Sequence, residues 1–188
     1  MRRLGGALAD AGVTLLEYRN KNGADEELLA DAKILRAAMP VGQVKLILDD
    51  RGDLVEAANF DGVHVDAGDM TPSEARRLLG PTGIVGTFGG SESILPGILR
   101  EPADYFAVGP VYSTTTKQTT KAPIGPEGVR KLREQAGQDV VLVAAAGITL
   151  ATAPLILAAG ANTVAVAAAI FRAEDPAAEF RRWVADLG

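Results

Sequence analysis

Three charged side chains follow the first apolar run of the sequence at intervals of two residues. They are Glu17, Arg19 and Lys21. Alternate residues of an extended strand point to the same side, so the three converge if the strand runs that far. Two cations so placed suit a phosphate or diphosphate, Arg through its planar fork and Lys as a compact charge. A solvated charged edge explains the same pattern, so the motif alone leaves both interpretations open.

Carboxylates come after two further apolar runs. Asp49 and Asp50 follow one run directly, and Asp69 lies shortly after another. Carboxylates at successive strand ends can share Mg²⁺, which takes waters and phosphate oxygens as its remaining ligands. Each aspartate taken alone is more readily explained as a helix cap or turn residue. His64 lies within a run, which favours a core histidine with a satisfied hydrogen bond over a catalytic base.

The most unusual segment is the polar loop 109–117, with the sequence GPVYSTTTK. Its hydroxyls, among them Thr114 and Thr116, can donate hydrogen bonds to a diphosphate, and Lys117 supplies positive charge. A flexible loop without function is the competing interpretation. Because long polar loops in compact domains are usually functional or linker segments, the functional interpretation is favoured.

Apolar runs rich in β-branched residues alternate along the chain with amphipathic segments. Such runs predict the buried strands of a parallel sheet, and the alternation predicts one α/β domain over residues 1–188. The predicted strands are 13–18, 44–48, 62–65, 84–87, 105–108, 140–144 and 163–167. The predicted helices are 4–11, 25–39, 71–79, 126–136 and 151–159.

Seven predicted strands, with no glycine-rich loop after the first, favour a (β/α)₈ TIM barrel over a doubly wound sheet. A barrel of this class has eight strands and about 250 residues, so this chain of 188 residues is expected to lack one strand. Because the first predicted element is the helix 4–11, the missing strand would be the first β-strand. Its reactive groups should lie at the carboxyl ends of the strands. A barrel without its first strand has two unpaired strand edges, and strand exchange in a homodimer would pair them.

Small residues follow the last two predicted strands. They are Gly147 after one strand, and Ala167 and Ala168 at the end of the other. Loops at these places in (β/α)₈ barrels commonly bind phosphate through backbone N–H groups, and small residues let the backbone approach the anion. An alanine-rich helix start is the alternative, but the position in the barrel favours phosphate binding.

Composition excludes several kinds of site and partner. The formal net charge of −5 argues against nonspecific binding to nucleic acid. A chain without cysteine has no disulfide and no thiol nucleophile, and its single histidine excludes a multi-histidine metal site. No apolar run reaches the roughly 18 residues of a membrane span, and the N-terminus lacks a signal-peptide core. We therefore expect a cytoplasmic protein with no nucleic-acid or membrane partner.

Taken together, the motifs resemble the thiamine phosphate synthase family over nearly the whole chain. Six segments carry the resemblance: YRNK at 18–21, LDDR at 48–51, DGVHV at 61–65 with Asp69, VGPVY at 108–112 with TTTK at 114–117, GIT at 147–149, and residues 164–170. The resemblance implies Mg²⁺-assisted joining of a hydroxymethylpyrimidine diphosphate to a thiazole phosphate or its carboxylated form. Diphosphate is the other product.

The resemblance also implies a role for each candidate residue. The diphosphate site would consist of the catalytic cations Arg19, Lys21 and Lys117 and the hydroxyls of Thr114 and Thr116. The magnesium ligands would be Asp50 and Asp69. The thiazole phosphate would be held by Gly147, Ala167 and Ala168. Glu17 and Asp49 would line the substrate site, at positions where the family usually has glutamine and asparagine.

Two alternatives remain at this stage. A related thiazole tautomerase needs an acid–base histidine after the fourth predicted strand, where this chain has Phe88 and two glycines. A noncatalytic barrel that binds a phosphorylated ligand would explain the departures at Glu17, Asp49 and Phe88. The retention of five charged groups at separate strand ends argues against that second alternative.

Overall fold

A computed structural model describes residues 1–90, 92–114 and 121–188. In this part of the chain seven parallel strands form one sheet, and each strand pairs with the next in sequence. The strands are β1 (Leu15–Tyr18), β2 (Lys45–Asp49), β3 (Gly62–Val65), β4 (Ile84–Gly90), β5 (Tyr105–Val108), β6 (Leu142–Ala145) and β7 (Thr163–Ala165). The curled sheet confirms the predicted TIM-barrel class lacking one strand, with β1 and β7 as its edges within the described residues.

Helices connect the strands and cover the outside of the sheet. They are α1 (Arg2–Asp10), α2 (Asp25–Ala38), α3 (Val55–Ala58), α4 (Pro72–Leu79), α5 (Leu95–Ile98), α6 (Gly125–Ala136), α7 (Ala153–Ala158), α8 (Ala168–Phe171) and α9 (Pro176–Leu187). A 3₁₀ turn, Gly52–Leu54, precedes α3. The sequence predicts the start of α4 closely, because Thr71 and Glu74 form a capping box ahead of Pro72.

Several strand ends differ from prediction, and the end of β7 is one of them. The strand predicted at 163–167 ends at Ala165, and α8 begins at Ala168. Alanine suits a helix at least as well as a strand, so the apolar run alone did not mark the boundary. The sequence also gave no prediction of α9, although Asp175 caps it by accepting hydrogen bonds from the amides of Ala177 and Ala178.

Each strand divides its side chains between two faces. Outward residues such as Leu46 and Val63 are fully buried and belong to the core shared with the helices. Inward residues line the barrel interior, where the ring of His64 stacks on that of Tyr105 with centroids 5.5 Å apart. Gly86 is required beside them, since a Cβ there would lie 2.0 Å from Cζ of Tyr105.

A repeated arginine device braces the amino-terminal face of the barrel. Arg36, Arg76 and Arg133 each donate to three backbone carbonyls and to one side chain immediately before a strand. That side chain also accepts from a strand amide, and the three acceptors are Asp61, Asp104 and Asn162. The device therefore ties each helix to two neighbouring strands, but its third copy uses a neutral amide.

The substitution Asn162→Asp is expected to raise the free energy of unfolding by about 1 kcal/mol, because the buried Arg133 guanidinium gains a charged partner. At this chain length that corresponds to an increase of about 2–4 °C in Tm. Urea unfolding would measure the change. The reverse substitution Asp61→Asn is the matched control, and we expect it to lower stability. A lower midpoint for Asn162→Asp would show that desolvation of the new carboxylate outweighs its attraction to Arg133.

Candidate active site

Charged side chains from three neighbouring loops meet at the carboxyl ends of β1, β2 and β3. Arg19 forms an ion pair with Asp49, and Lys21 forms one with Asp50. The carboxylates are the enclosed partners: their side chains are 2% and 13% exposed, whereas those of the two cations are 37% and 38% exposed. The cations can therefore reach a ligand at the mouth of the barrel.

Asp50 is held in an uncommon backbone conformation. Its φ of +67° lies in the left-handed region, which aspartate tolerates better than most residues, and its amide donates to the carbonyl of His64 at 2.8 Å. Lys21 contacts its Oδ2 atom. Its Oδ1 atom is buried and has no hydrogen-bond donor among the described residues. A buried carboxylate oxygen without a donor marks a place where a ligand, water or cation belongs.

Asp69 lies beside Asp50 and interacts with it directly. Burial and the neighbouring Asp50 carboxyl raise the pKa of Asp69, whose Oδ2 accepts a hydrogen bond from the amide of Asp66 at 2.9 Å. Burial also acts to raise the pKa of Asp50, but hydrogen bonds with the Asp69 carboxyl and with Lys21 outweigh it and hold that pKa below its usual range. The pKa values of the two carboxyls are therefore pushed apart, and Asp69 holds its proton more readily than Asp50 does.

The Asp50 and Asp69 pair fits magnesium. Within the described ranges, no cluster of three or more His, Cys, Asp or Glu side chains is arranged to hold a metal ion. Magnesium does not need one, because it binds through one or two carboxylates together with water and substrate phosphates. The unpartnered Oδ1 of Asp50 next to a second carboxyl is a donor set of that kind.

Glu17 and Asp49 form a second acidic pair on the inner face of the sheet. Glu17 lies on an edge strand and keeps contact with solvent, but protein atoms crowd its carboxyl. This desolvation and the repulsion from Asp49 raise the pKa of Glu17 to about 7. Burial likewise raises the pKa of Asp49 to about 6, despite its attraction to Arg19. Near neutral pH this pair therefore carries less than two full negative charges.

His64 has the structural role that its position in the sequence favours. Its Nδ1 atom lies 3.1 Å from the hydroxyl of Tyr105, and the residue is buried. Burial, followed by the nearby Glu17 carboxylate, raises the pKa of Tyr105, so that hydroxyl remains protonated. The interior wall beside Glu17 is thus made of two stacked aromatic rings, and the Tyr105 hydroxyl carries no charge.

The other candidate residues follow β5, β6 and β7. Gly147 has a φ of +69°, and a Cβ there would lie 2.5 Å from the carbonyl oxygen of Ser113, so glycine is required. Thr114 lies just beyond Ser113, while Ala167 is the N-cap residue of α8 and Ala168 its first residue. The candidates Thr116 and Lys117 lie outside the described residues.

Two cations at this end of the barrel have no role in the sequence-based site. The Nζ atom of Lys121 lies 4.3 Å from the centroid of the Phe88 ring. Arg51 contacts two carboxylates, Asp25 and Asp53. Arg51 stands next to Asp50 in the LDDR segment, and this position is the sequence signal that could have marked Arg51 as a residue of the site. Lys121 is distant in sequence from Phe88, and no local pattern connects them.

No helix in the described part of the chain is both long enough and apolar enough to cross a membrane.

The sheet order and the charged cluster at its carboxyl edge define a (β/α)₈-type barrel that is open on one side and has a charged mouth. Within this class, the family model described as thiamine monophosphate synthase matches residues 3–170. The chain belongs to that family.

Individual relatives agree with this assignment. A thiamine-phosphate synthase of Agrobacterium fabrum is 40% identical over 172 residues, which cover 89% of this chain and 78% of the relative. The solved structure of a thiamine phosphate pyrophosphorylase from Pyrococcus furiosus is 29% identical and has a TM-score of 0.84, covering 100% of this chain and 91% of that chain. A 3-hexulose-6-phosphate synthase is similar in fold, with a TM-score of 0.75 at 19% identity, covering 99% of this chain and 92% of that one.

Proposed function

We propose that this chain joins a hydroxymethylpyrimidine diphosphate to a thiazole phosphate, forming thiamine phosphate and releasing diphosphate. The observation that carries the proposal is the pair of accessible cations, Arg19 and Lys21, beside the unpartnered carboxylate oxygen of Asp50. Membership of the thiamine monophosphate synthase family supports it. A single domain, a cytoplasmic location and a homodimer are part of the same proposal.

Binding of the diphosphate exchanges partners within the cluster. Arg19 leaves Asp49 and Lys21 leaves Asp50, and both cations then contact phosphate oxygens. The resemblance to the family adds Thr114, Thr116 and Lys117 to the proposed diphosphate site. Asp50 and Asp69 would hold Mg²⁺, which supplies charge neutralisation for the diphosphate when bound. The cations already stand at the mouth, so most of their positioning is complete before the substrate arrives.

The bond changes need no protein nucleophile. The bond between the pyrimidine methylene carbon and the diphosphate oxygen breaks, and diphosphate leaves with the electron pair. The ring nitrogen of the thiazole supplies the pair for the new carbon–nitrogen bond. Arg19, Lys21 and Lys117 stabilise the charge on the leaving group, while the backbone at Gly147, Ala167 and Ala168 holds the thiazole phosphate.

The tautomerase alternative requires an acid–base histidine after the fourth strand, and this chain has none at that place. The sequence contains one histidine, and its ring is engaged with Tyr105 inside the barrel. The residue after Thr87 is Phe88, whose ring lies under Lys121. A phenylalanine cannot move the proton that tautomerisation requires.

The test is to incubate the protein with both substrates and Mg²⁺ and to detect thiamine phosphate by mass spectrometry. Reactions that omit one substrate, or that contain a chelator, are the controls. We expect product only in the complete reaction. Isomerisation of a carboxylated thiazole without condensation would support the tautomerase instead, and ligand binding without any turnover would support the noncatalytic barrel.

A further inference from the structure

Arg51 makes a double-forked contact at the carboxyl edge of the sheet. Its Nη1 and Nη2 atoms lie 2.5 and 3.1 Å from the two carboxylate oxygens of Asp25. Its Nε and Nη2 atoms lie 2.9 and 2.7 Å from those of Asp53. Planar guanidinium–carboxylate forks of this type fix orientation as well as distance.

The two forks connect different parts of the molecule. Asp53 belongs to the 3₁₀ turn just after Arg51, so that fork is local. Asp25 is the first residue of α2 and ends the loop that carries Arg19 and Lys21. The fork to Asp25 therefore joins the loop after β1 to the loop after β2. The ion pair between Lys21 and Asp50 joins the same two loops.

The Lys21–Asp50 pair and the Arg51–Asp25 fork respond differently to diphosphate binding. In the proposed function Lys21 leaves Asp50 to contact the substrate, so their ion pair opens. The fork between Arg51 and Asp25 involves no candidate substrate ligand and can persist. Within the described residues it is then the side-chain link that remains between the two loops. It lies one residue from Asp50 and four residues from Lys21.

We propose that Arg51 is a positioning residue that keeps the Arg19–Lys21 loop against Asp50 while the Lys21–Asp50 pair opens for diphosphate and Mg²⁺. The inference rests on the proposed function of this site. The fork to Asp25 performs the positioning, because it joins the two loops, whereas the fork to Asp53 stays within the loop after β2.

A purely structural role predicts a different result from a positioning role. The side chains of Arg51, Asp25 and Asp53 are 35%, 57% and 54% exposed, and exposed ion pairs contribute little to global stability. Loss of the fork to Asp25 should therefore leave Tm nearly unchanged. Its effect should appear in ligand affinity, because the cations and Asp50 no longer keep their relative positions.

The experiment compares Asp25→Asn with Asp53→Asn, which remove one charge each from the same arginine. Calorimetry with inorganic diphosphate and Mg²⁺ measures affinity, and steady-state kinetics measure kcat and KM. For Asp25→Asn we expect about tenfold weaker diphosphate binding and a similar rise in KM for the pyrimidine diphosphate, with kcat changed by less than about threefold. Asp53→Asn should change each quantity by less than about threefold, and both variants should melt within about 2 °C of the unchanged protein.

Arg51→Lys keeps the charge but loses the forks, so it should behave like Asp25→Asn. Equal effects of Asp25→Asn and Asp53→Asn, or no effect of either, would overturn the proposal, as would a fall in Tm that accounts for the loss. The calorimetric comparison does not depend on turnover. An unchanged protein that binds diphosphate but forms no thiamine phosphate contradicts the proposed function, while the difference between the variants still tests Arg51.

Discussion

Replacement of Asp50 by asparagine is expected to lower kcat/KM for thiamine phosphate formation by about 10³-fold. Asp50 is the enclosed partner of Lys21, and its Oδ1 atom has no donor in the described part of the chain. Asparagine keeps the size of the side chain and tolerates the left-handed backbone at φ +67°, so the loop should retain its conformation. The substitution removes the charge that would attract Mg²⁺ in the proposed function.

Kinetics over a range of Mg²⁺ concentrations would measure this effect, and thermal unfolding with and without Mg²⁺ and diphosphate would follow binding. The unchanged protein should gain stability from the ligands, and the Asp50→Asn variant should gain much less. Asp10→Asn, at an exposed position at the end of α1, is the matched control and should behave like the unchanged protein. Full activity of Asp50→Asn at ordinary Mg²⁺ concentrations would remove Asp50 from the site.

The substitution Glu17→Gln is expected to have an effect that depends on pH. With its pKa raised to about 7 by burial and by Asp49, Glu17 is mostly protonated at pH 6 and mostly ionised at pH 8.5. The protonated acid is neutral and can donate a hydrogen bond, as glutamine does. The ionised acid repels the diphosphate. We therefore expect the variant to match the unchanged protein at pH 6 and to exceed its kcat/KM by about tenfold at pH 8.5, a difference of about 1.4 kcal/mol.

Stability should follow the same titration. Folded Glu17 retains its proton at pH values where the unfolded chain has lost it, so its contribution to the free energy of unfolding is present below about pH 4.5 and is lost as the pH rises through 7. Contact with solvent makes this contribution smaller than full burial would give. Urea unfolding from pH 5 to pH 8 would measure it, with Glu134→Gln on the exposed side of α6 as control. In the kinetic comparison, a ratio of kcat/KM between Glu17→Gln and the unchanged protein that does not change with pH would contradict the raised pKa of Glu17.

The positions of the strands could be predicted because parallel strands are apolar on both faces and short. The same alternation placed Arg19, Lys21, Asp50 and Asp69 at strand ends, and the structure brings these four residues to one mouth. The sequence does not show which carboxylate pairs with Arg19, although Glu17 lies only two residues away. The structure pairs Arg19 with Asp49 instead, because β2 carries that aspartate to the neighbouring strand end.

Other features depend on contacts between distant segments and had no local signal. The raised pKa of Glu17 comes from desolvation of its carboxyl and from repulsion by Asp49, which β2 brings next to it. The arginine device is visible only when Arg36, Arg76 and Arg133 are compared in space, because their side-chain acceptors lie 25 to 29 residues further along the chain. The end of β7 was missed because a run of alanine and valine fits a strand and a helix turn equally well.

The most direct test of the whole account is a single-turnover reaction with enzyme in excess, in which thiamine phosphate and diphosphate are quantified together. If the charged mouth promotes departure of the diphosphate and the thiazole nitrogen captures the pyrimidine, the two products form in a 1:1 ratio and only when Mg²⁺ is present. Release of diphosphate without thiamine phosphate, or an equal yield in the presence of a chelator, would contradict the account.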